Sequence, residues 1–156
     1  MKKFLILFCT IFFNLSNAIE VNVVDSTFYV NGNPYYMRGI CYHPVPLGKI
    51  KRDFSNLSTD ISLMKEAGIN TVRVYEPIDD IEVLNKLDDA GIKVVINFGY
   101  NQRGRYDILS GSLIDYIYKY KDHDAILMWE LGNEYNYHPQ WFRGNINTWY
   151  AVLELA

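Results

Sequence analysis

The residues best placed to do chemistry lie in one short stretch, Trp129-Glu130-Leu131-Gly132-Asn133-Glu134, between an apolar run at 125–128 and the aromatic-rich Tyr135-Asn136-Tyr137-His138. An apolar run that ends in glycine, amide and carboxylate predicts a buried strand delivering polar groups to its edge. A carboxylic acid held there suits proton transfer as a general acid or base, which makes Glu134 the candidate catalytic group. The plainer alternative is a loop or helix-opening carboxylate. Glu130 lies four residues earlier, about 13 Å away along an extended strand, so it is too distant to form a close carboxylate pair with Glu134.

The elements that must position these groups follow from periodicity. Residues 19–24 and 27–30 alternate in β-branched and aromatic side chains, and Asn31-Gly32-Asn33-Pro34 supplies a turn into 35–42, so an entry hairpin precedes a first long strand. Residues 43–54, with Pro44, Pro46 and Gly48, form a loop. Leu57, Ile61, Met64 and Ala67 share one helical face that Gly68 ends. Strands are expected at 70–75, 92–98 and 125–131, and helices around Leu84 and Leu87, around Leu113, Ile117 and Tyr120, and from Asn145 onward. Asp79 with Glu82 three residues later predicts a capping box. Strand and helix alternate at a period of roughly thirty residues, the pattern of parallel α/β units. Four such units fit either a doubly wound sheet or the first half of an eightfold barrel.

In either fold the carboxyl ends of the strands carry function. This chain places His43, Arg73 with Glu76, Tyr100 with Asn101, and Asn133 with Glu134 there. An arginine, amides and carboxylates on one rim suit sugar hydroxyls better than a nucleotide. Gly99-Tyr100-Asn101 lacks the further glycines of a phosphate loop, so no nucleotide cofactor is expected. His43, His123 and His138 show no close ligand spacing, so no metal is expected either. Tyr100, Tyr135, Tyr137 and Trp141 suit stacking on sugar rings or ordinary packing. Glu76 and Asp79 suit the loop and the helix cap.

Lys2 and Lys3, the apolar run 4–13 and Ser16-Asn17-Ala18 predict a signal peptide cut after Ala18. The run falls short of the roughly 20 residues a spanning helix needs, so no membrane association is expected once the leader is removed. A secreted or periplasmic protein is implied. Cys41 is then the sole cysteine, excluding an intrachain disulfide, and is expected as a small buried apolar residue. A net charge of −3 provides no basic footprint for nucleic acid. The last residues, Leu153-Glu154-Leu155-Ala156, lie within an amphipathic helix with no capping residue and suggest a chain that continues.

Several motifs carry a resemblance to a known group. The 129–134 stretch resembles the fourth-strand signature of the clan of retaining β-glycosidases built on TIM barrels, in which an Asn-Glu pair ends that strand. Phe28-Tyr29-Val30-Asn31-Gly32-Asn33-Pro34 through Arg38-Gly39-Ile40 looks like the start of the catalytic domain of glycoside hydrolase family 2 and its relatives. Lys65-Glu66-Ala67-Gly68-Ile69-Asn70-Thr71-Val72-Arg73 is similar to their second-strand motif, and Lys121-Asp122-His123-Asp124-Ala125-Ile126-Leu127-Met128-Trp129 to their approach to the fourth strand. The resemblance implies a (β/α)8 TIM barrel whose first four units are present over residues 19–156, after a short hairpin. It implies a retaining hydrolase of a β-linked oligo- or polysaccharide with Glu134 as acid/base, Asn133 on the sugar 2-hydroxyl, and Arg73 on a nucleophilic carboxylate from a seventh strand outside this chain. Burial against aromatics such as Trp129 is expected to keep Glu134 protonated. Arg73 could instead neutralise Glu76 or Glu130, and His43, which matches the pattern only in position, could be a substrate contact or a loop histidine. Two rivals remain: a transglycosylase such as a β-1,3-glucanosyltransferase, and a non-catalytic carbohydrate-binding protein on a degenerate barrel.

Overall fold

A computed structural model describes residues 19–99, 110–134 and 145–155, together with Tyr106, Ile108, Tyr137, His138 and Gln140. Residues 1–18, where a leader is expected, and two candidate site residues, Tyr100 and Tyr135, lie outside the described residues.

The chain opens with a small antiparallel sheet of β1 (Val21–Val24), β2 (Thr27–Val30) and β3 (Asn33–Pro34), in that order. Both turns have two central residues at positive φ, Asp25 and Ser26 (48° and 65°) and Asn31 and Gly32 (50° and 74°), the geometry that matches the twist of a two-residue hairpin. The strand expected over 35–42 is shorter than its pattern suggests. Only β4 (Gly39–Cys41) joins a ladder, because the Asn70 side chain takes the place of a partner strand upstream. Its Oδ1 accepts from Arg38 N (2.8 Å) and its Nδ2 donates to Tyr36 O (2.9 Å).

From β4 onward the fold repeats strand then helix: α1 (Leu57–Glu66), β5 (Thr71–Val74), α2 (Ile81–Asp89), β6 (Lys93–Phe98), α3 (Leu113–Tyr120), β7 (Ile126–Leu131) and α4 (Ile146–Leu155). The four strands form one parallel sheet in chain order, β4-β5-β6-β7. Both α1 and α2 stop as their sequences predict. Gly68 and Gly91 adopt φ of 71°, their N–H groups bond two turn carbonyls, Lys65 O and Asp88 O, and the next residue bonds Met64 O or Leu87 O. This paired closure satisfies carbonyls that the helix end would otherwise orphan. The start of α2 differs from expectation. Asp80, in extended backbone, is the cap, and its carboxylate accepts from Glu82 N; Asp79 instead accepts from Tyr106 Oη.

The two faces of the parallel sheet differ in chemistry. Val72, Val74, Val94, Ile96, Phe98 and Ile126 point to the helices and form the core with Leu57, Met64, Leu84, Leu87, Leu113 and Tyr116. The alternate positions, Cys41, Thr71, Arg73, Val95, Asn97, Met128 and Glu130, lie on the opposite face by the period-two rule. Cys41 is therefore exposed and not part of the core, contrary to its expected burial. Gly39, Cys41, Thr71, Arg73, Val95, Met128 and Glu130 line a cavity of about 620 Å³ on that face.

Candidate functional site

The polar side chains gather at the carboxyl end of the non-helical face. Arg73, the third residue of β5, is half-buried, and its Cα register runs through Val95 of β6 to Met128 of β7. Its guanidinium reaches up one strand step and grips Glu130 with two bonds, Nε to Oε2 at 2.5 Å and Nη2 to Oε1 at 2.8 Å. The same Nη2 donates to Asn133 Oδ1 at 2.9 Å. The Arg73 pKa is pushed up, first by the hydrogen bond to Glu130, against the opposing effect of burial. Glu76, the other partner considered for Arg73, is held elsewhere: it faces Arg52, which also donates to Glu76 O and Pro77 O at 2.7 Å. Burial lowers the Arg52 pKa, and the Glu76 charge opposes it.

Tyr75 closes the other side of the guanidinium, with its ring centroid 4.7 Å from Arg73 Cζ. His43 meets the same ring edge-on, at 5.9 Å between centroids. His43, Tyr75, Arg73, Glu130 and Asn133 are thus one contiguous chain of contacts. Tyr75 escaped the sequence reading because it ends a strand pattern as an ordinary aromatic. The available signal was its position two residues beyond Arg73, on the same face.

Glu134 leaves the strand through an unusual backbone path. Gly132 has φ of 94° and Glu134 φ of 51°, so two left-handed residues flank Asn133. For glutamate this conformation costs about 1–2 kcal/mol and persists only where neighbours hold it. Three backbone groups here are held: Gly132 N donates to Phe98 O (2.7 Å), Gly132 O accepts from Asn97 Nδ2 (2.6 Å), and Glu134 O accepts from Tyr137 N (2.9 Å). The expected burial of Glu134 against Trp129 does not occur. Glu134 is exposed, whereas Trp129 turns to the helical face and packs on Phe98 and Tyr116. Strand alternation sends Trp129 to the helical face opposite Glu130, and the left-handed turn at Gly132 carries Glu134 beyond the strand end.

Asn133 is oriented by its bond to Arg73. With Oδ1 engaged, its Nδ2 is the free end of the amide and donates to none of the described residues. Among the described residues no group of three or more His, Cys, Asp or Glu could hold a metal ion, and no helix is long and apolar enough to cross a membrane.

Comparison with known proteins adds a family. The model for "Glycosyl hydrolases family 2, TIM barrel domain" matches residues 21–110. The 1,3-beta-glucanosyltransferase gel1 of Aspergillus fumigatus is 33% identical over 88 residues, covering 52% of this chain and 19% of that protein. A beta-galactosidase of Vibrio cholerae is 27% identical over 130 residues, covering 74% of this chain and 12% of that protein. Among solved structures, a beta-glucuronidase of Faecalibacterium prausnitzii superposes with a TM-score of 0.64 at 25% identity, over 88% of this chain and 25% of that one. The chain therefore spans only a minor part of the length of each of these relatives.

Proposed function

Because the chain belongs to the glycosyl hydrolases of family 2, through their TIM-barrel domain, we propose that it carries the acid/base half of a retaining glycosidase acting on a β-linked saccharide. The observation that supports this best is the arrangement at the end of β7: Glu134 stands exposed on the rim beside an Asn133 whose amide Arg73 orients. In this reading residues 19–156 are the first four β/α units of an eightfold barrel, preceded by the small antiparallel sheet. The second carboxylate comes from a later strand.

The chemistry follows from the geometry. The glycosidic oxygen sits against Glu134, whose proton passes to it as the bond to the anomeric carbon breaks. A second carboxylate, roughly 5 Å from Glu134 in a retaining site, attacks the opposite face and forms the glycosyl ester. Glu134, now ionised, takes a proton from the water that resolves the ester, regenerating the acid. Asn133 Nδ2 donates to the sugar 2-hydroxyl, a bond that strengthens as positive charge develops at the ring. His43, Tyr100 and Tyr135 complete the saccharide contacts in this reading. The leader directs the protein to a secreted or periplasmic location.

The test is Glu134→Gln in the full-length protein. The kcat/KM for alkyl β-glycosides should fall by roughly 100-fold or more, with much smaller loss on dinitrophenyl β-glycosides, whose leaving group needs little protonation. Equal loss on both would assign Glu134 another role. A second reading, transfer of the glycosyl group to a sugar acceptor, is favoured by the similarity to a 1,3-beta-glucanosyltransferase. It keeps the same residues, and chromatography of the products in the presence of acceptor saccharide separates the two.

A further inference from the structure

Asn97 is fully buried, at 0% exposure, yet it sits in a strand whose other interior residues are Val94, Val95, Ile96 and Phe98. An amide placed among such residues is costly, and this one is only half satisfied. Its Nδ2 donates to Gly132 O at 2.6 Å, while its Oδ1 has no partner among the described residues. A leucine would fill similar space without an orphaned oxygen. The bond to Gly132 is what an amide supplies at this position and a leucine would not.

That bond ends at the residue where the backbone turns. Gly132 is gripped twice from the end of β6, by Phe98 O on its N–H and by Asn97 Nδ2 on its carbonyl. The two grips fix the plane of the peptides on either side of Gly132, immediately before Asn133 and the left-handed Glu134. Asn97 also lies opposite Glu130 in the β6·β7 register, so the clamp and the Arg73–Glu130 pair sit side by side under one turn. Arg73 holds the Asn133 side chain, and Asn97 holds the backbone that leads into it.

We infer that Asn97 is a positioning residue that sets the aim of Glu134 by clamping the Gly132 carbonyl. The inference rests on the acid/base reading of Glu134 and adds to it a residue that touches neither substrate nor reacting atoms. Loss of the clamp lets the strained turn relax, moving the acid away from the leaving oxygen without emptying the sugar site. A misplacement of about 1 Å is enough to cost about 100-fold in rate.

The experiment uses the full-length protein with Asn97→Leu, Asn97→Ala and, as reference, Glu134→Gln. Each is assayed on phenyl and dinitrophenyl β-glycosides of a sugar that the unmodified protein turns over. Asn97→Leu removes one unpartnered buried atom and creates another at Gly132 O, so its thermal midpoint should move little; Asn97→Ala fits even if Leu does not. Expected for both is a fall in kcat/KM, which reports the step that expels the leaving group, roughly tenfold larger on the phenyl than on the dinitrophenyl substrate. Should Glu134→Gln show that split while the folded Asn97 variants lose both activities equally, or neither, the positioning role is overturned and the acid/base reading stands. Should Glu134→Gln itself show no split, the acid/base reading falls and takes the role of Asn97 with it.

Discussion

Arg73 holds Glu130 through a two-pronged bond between neighbouring strands but one, Nε to Oε2 and Nη2 to Oε1, and spends its remaining Nη2 hydrogen on Asn133. Both partners are half-buried, so the pair falls between a solvent-screened surface bridge and a fully buried one. Glu130→Gln should destabilise the protein by about 1–2 kcal/mol, above the range for exposed pairs and below that for stranding a buried charge. Arg73→Lys should show a similar loss, because an ammonium lacks the planar fork that serves two acceptors at once. Urea denaturation of the two variants checks both statements.

The end of α1 offers a cleaner backbone test. A Cβ at Gly68 would meet only Arg38 Nε at 3.9 Å, an ordinary contact, so the strain of φ at 71° is the whole effect. Gly68→Ala should cost about 1–2 kcal/mol. Gly68→Asn should cost less, since asparagine tolerates the left-handed region better. Thermal midpoints of the two variants compare them directly.

The cap of α2 separates two adjacent aspartates. Asp80 accepts from Glu82 N at 3.0 Å, so Asp80→Ala should lose about 1 kcal/mol and Asp80→Ser should recover most of it. Calorimetric midpoints of the three proteins provide the measurement.

Alkaline pH should weaken the fold. Burial raises the pKa of Tyr42, Tyr35 and Tyr116, with Asp60 adding to the effect at Tyr42, where the hydroxyl donates to it at 2.6 Å. Folded-state values raised above those of the unfolded chain mean that the folded form binds more protons. The stabilisation is therefore complete below about pH 10, the ordinary tyrosine value, and is lost as pH rises through the raised folded values. The urea midpoint should decline above about pH 10, and Tyr116→Phe should flatten that decline.

The sequence showed the repeating architecture well because its signals are local. The apolar spacing of Leu57, Ile61 and Met64, and glycines at positions 68 and 91, need no knowledge of distant residues. Contacts across the chain were less legible. The short β4 depends on the amide of Asn70, which competes with a strand that the residue pattern favours. Cys41 looked apolar, but its exposure depends on which face of the sheet the helices cover. Of the candidate site, Arg73, Asn133 and His43 were named from their places at strand ends, and the structure joins them in one line of contacts through Tyr75. Asn97 was invisible, since its one partner among the described residues is a backbone carbonyl 35 residues later, just past the end of β7.

The order of the parallel sheet bears on how the protein is made. Each described strand of this sheet pairs with the next one in the chain, Gly39 against Thr71, Thr71 against Lys93 and Val94 against Ile126, so each of these pairings closes a modest loop. Chains built this way can assemble unit by unit as they leave the ribosome. Asn97 lies on β6, whereas Glu130, Asn133 and Glu134 lie on or just past β7. These side chains therefore come together only when the β6–β7 pairing zips to its carboxyl end. A stalled or misregistered β7 would yield a sheet with a sound core and, on the proposed reading of Glu134, no aimed acid.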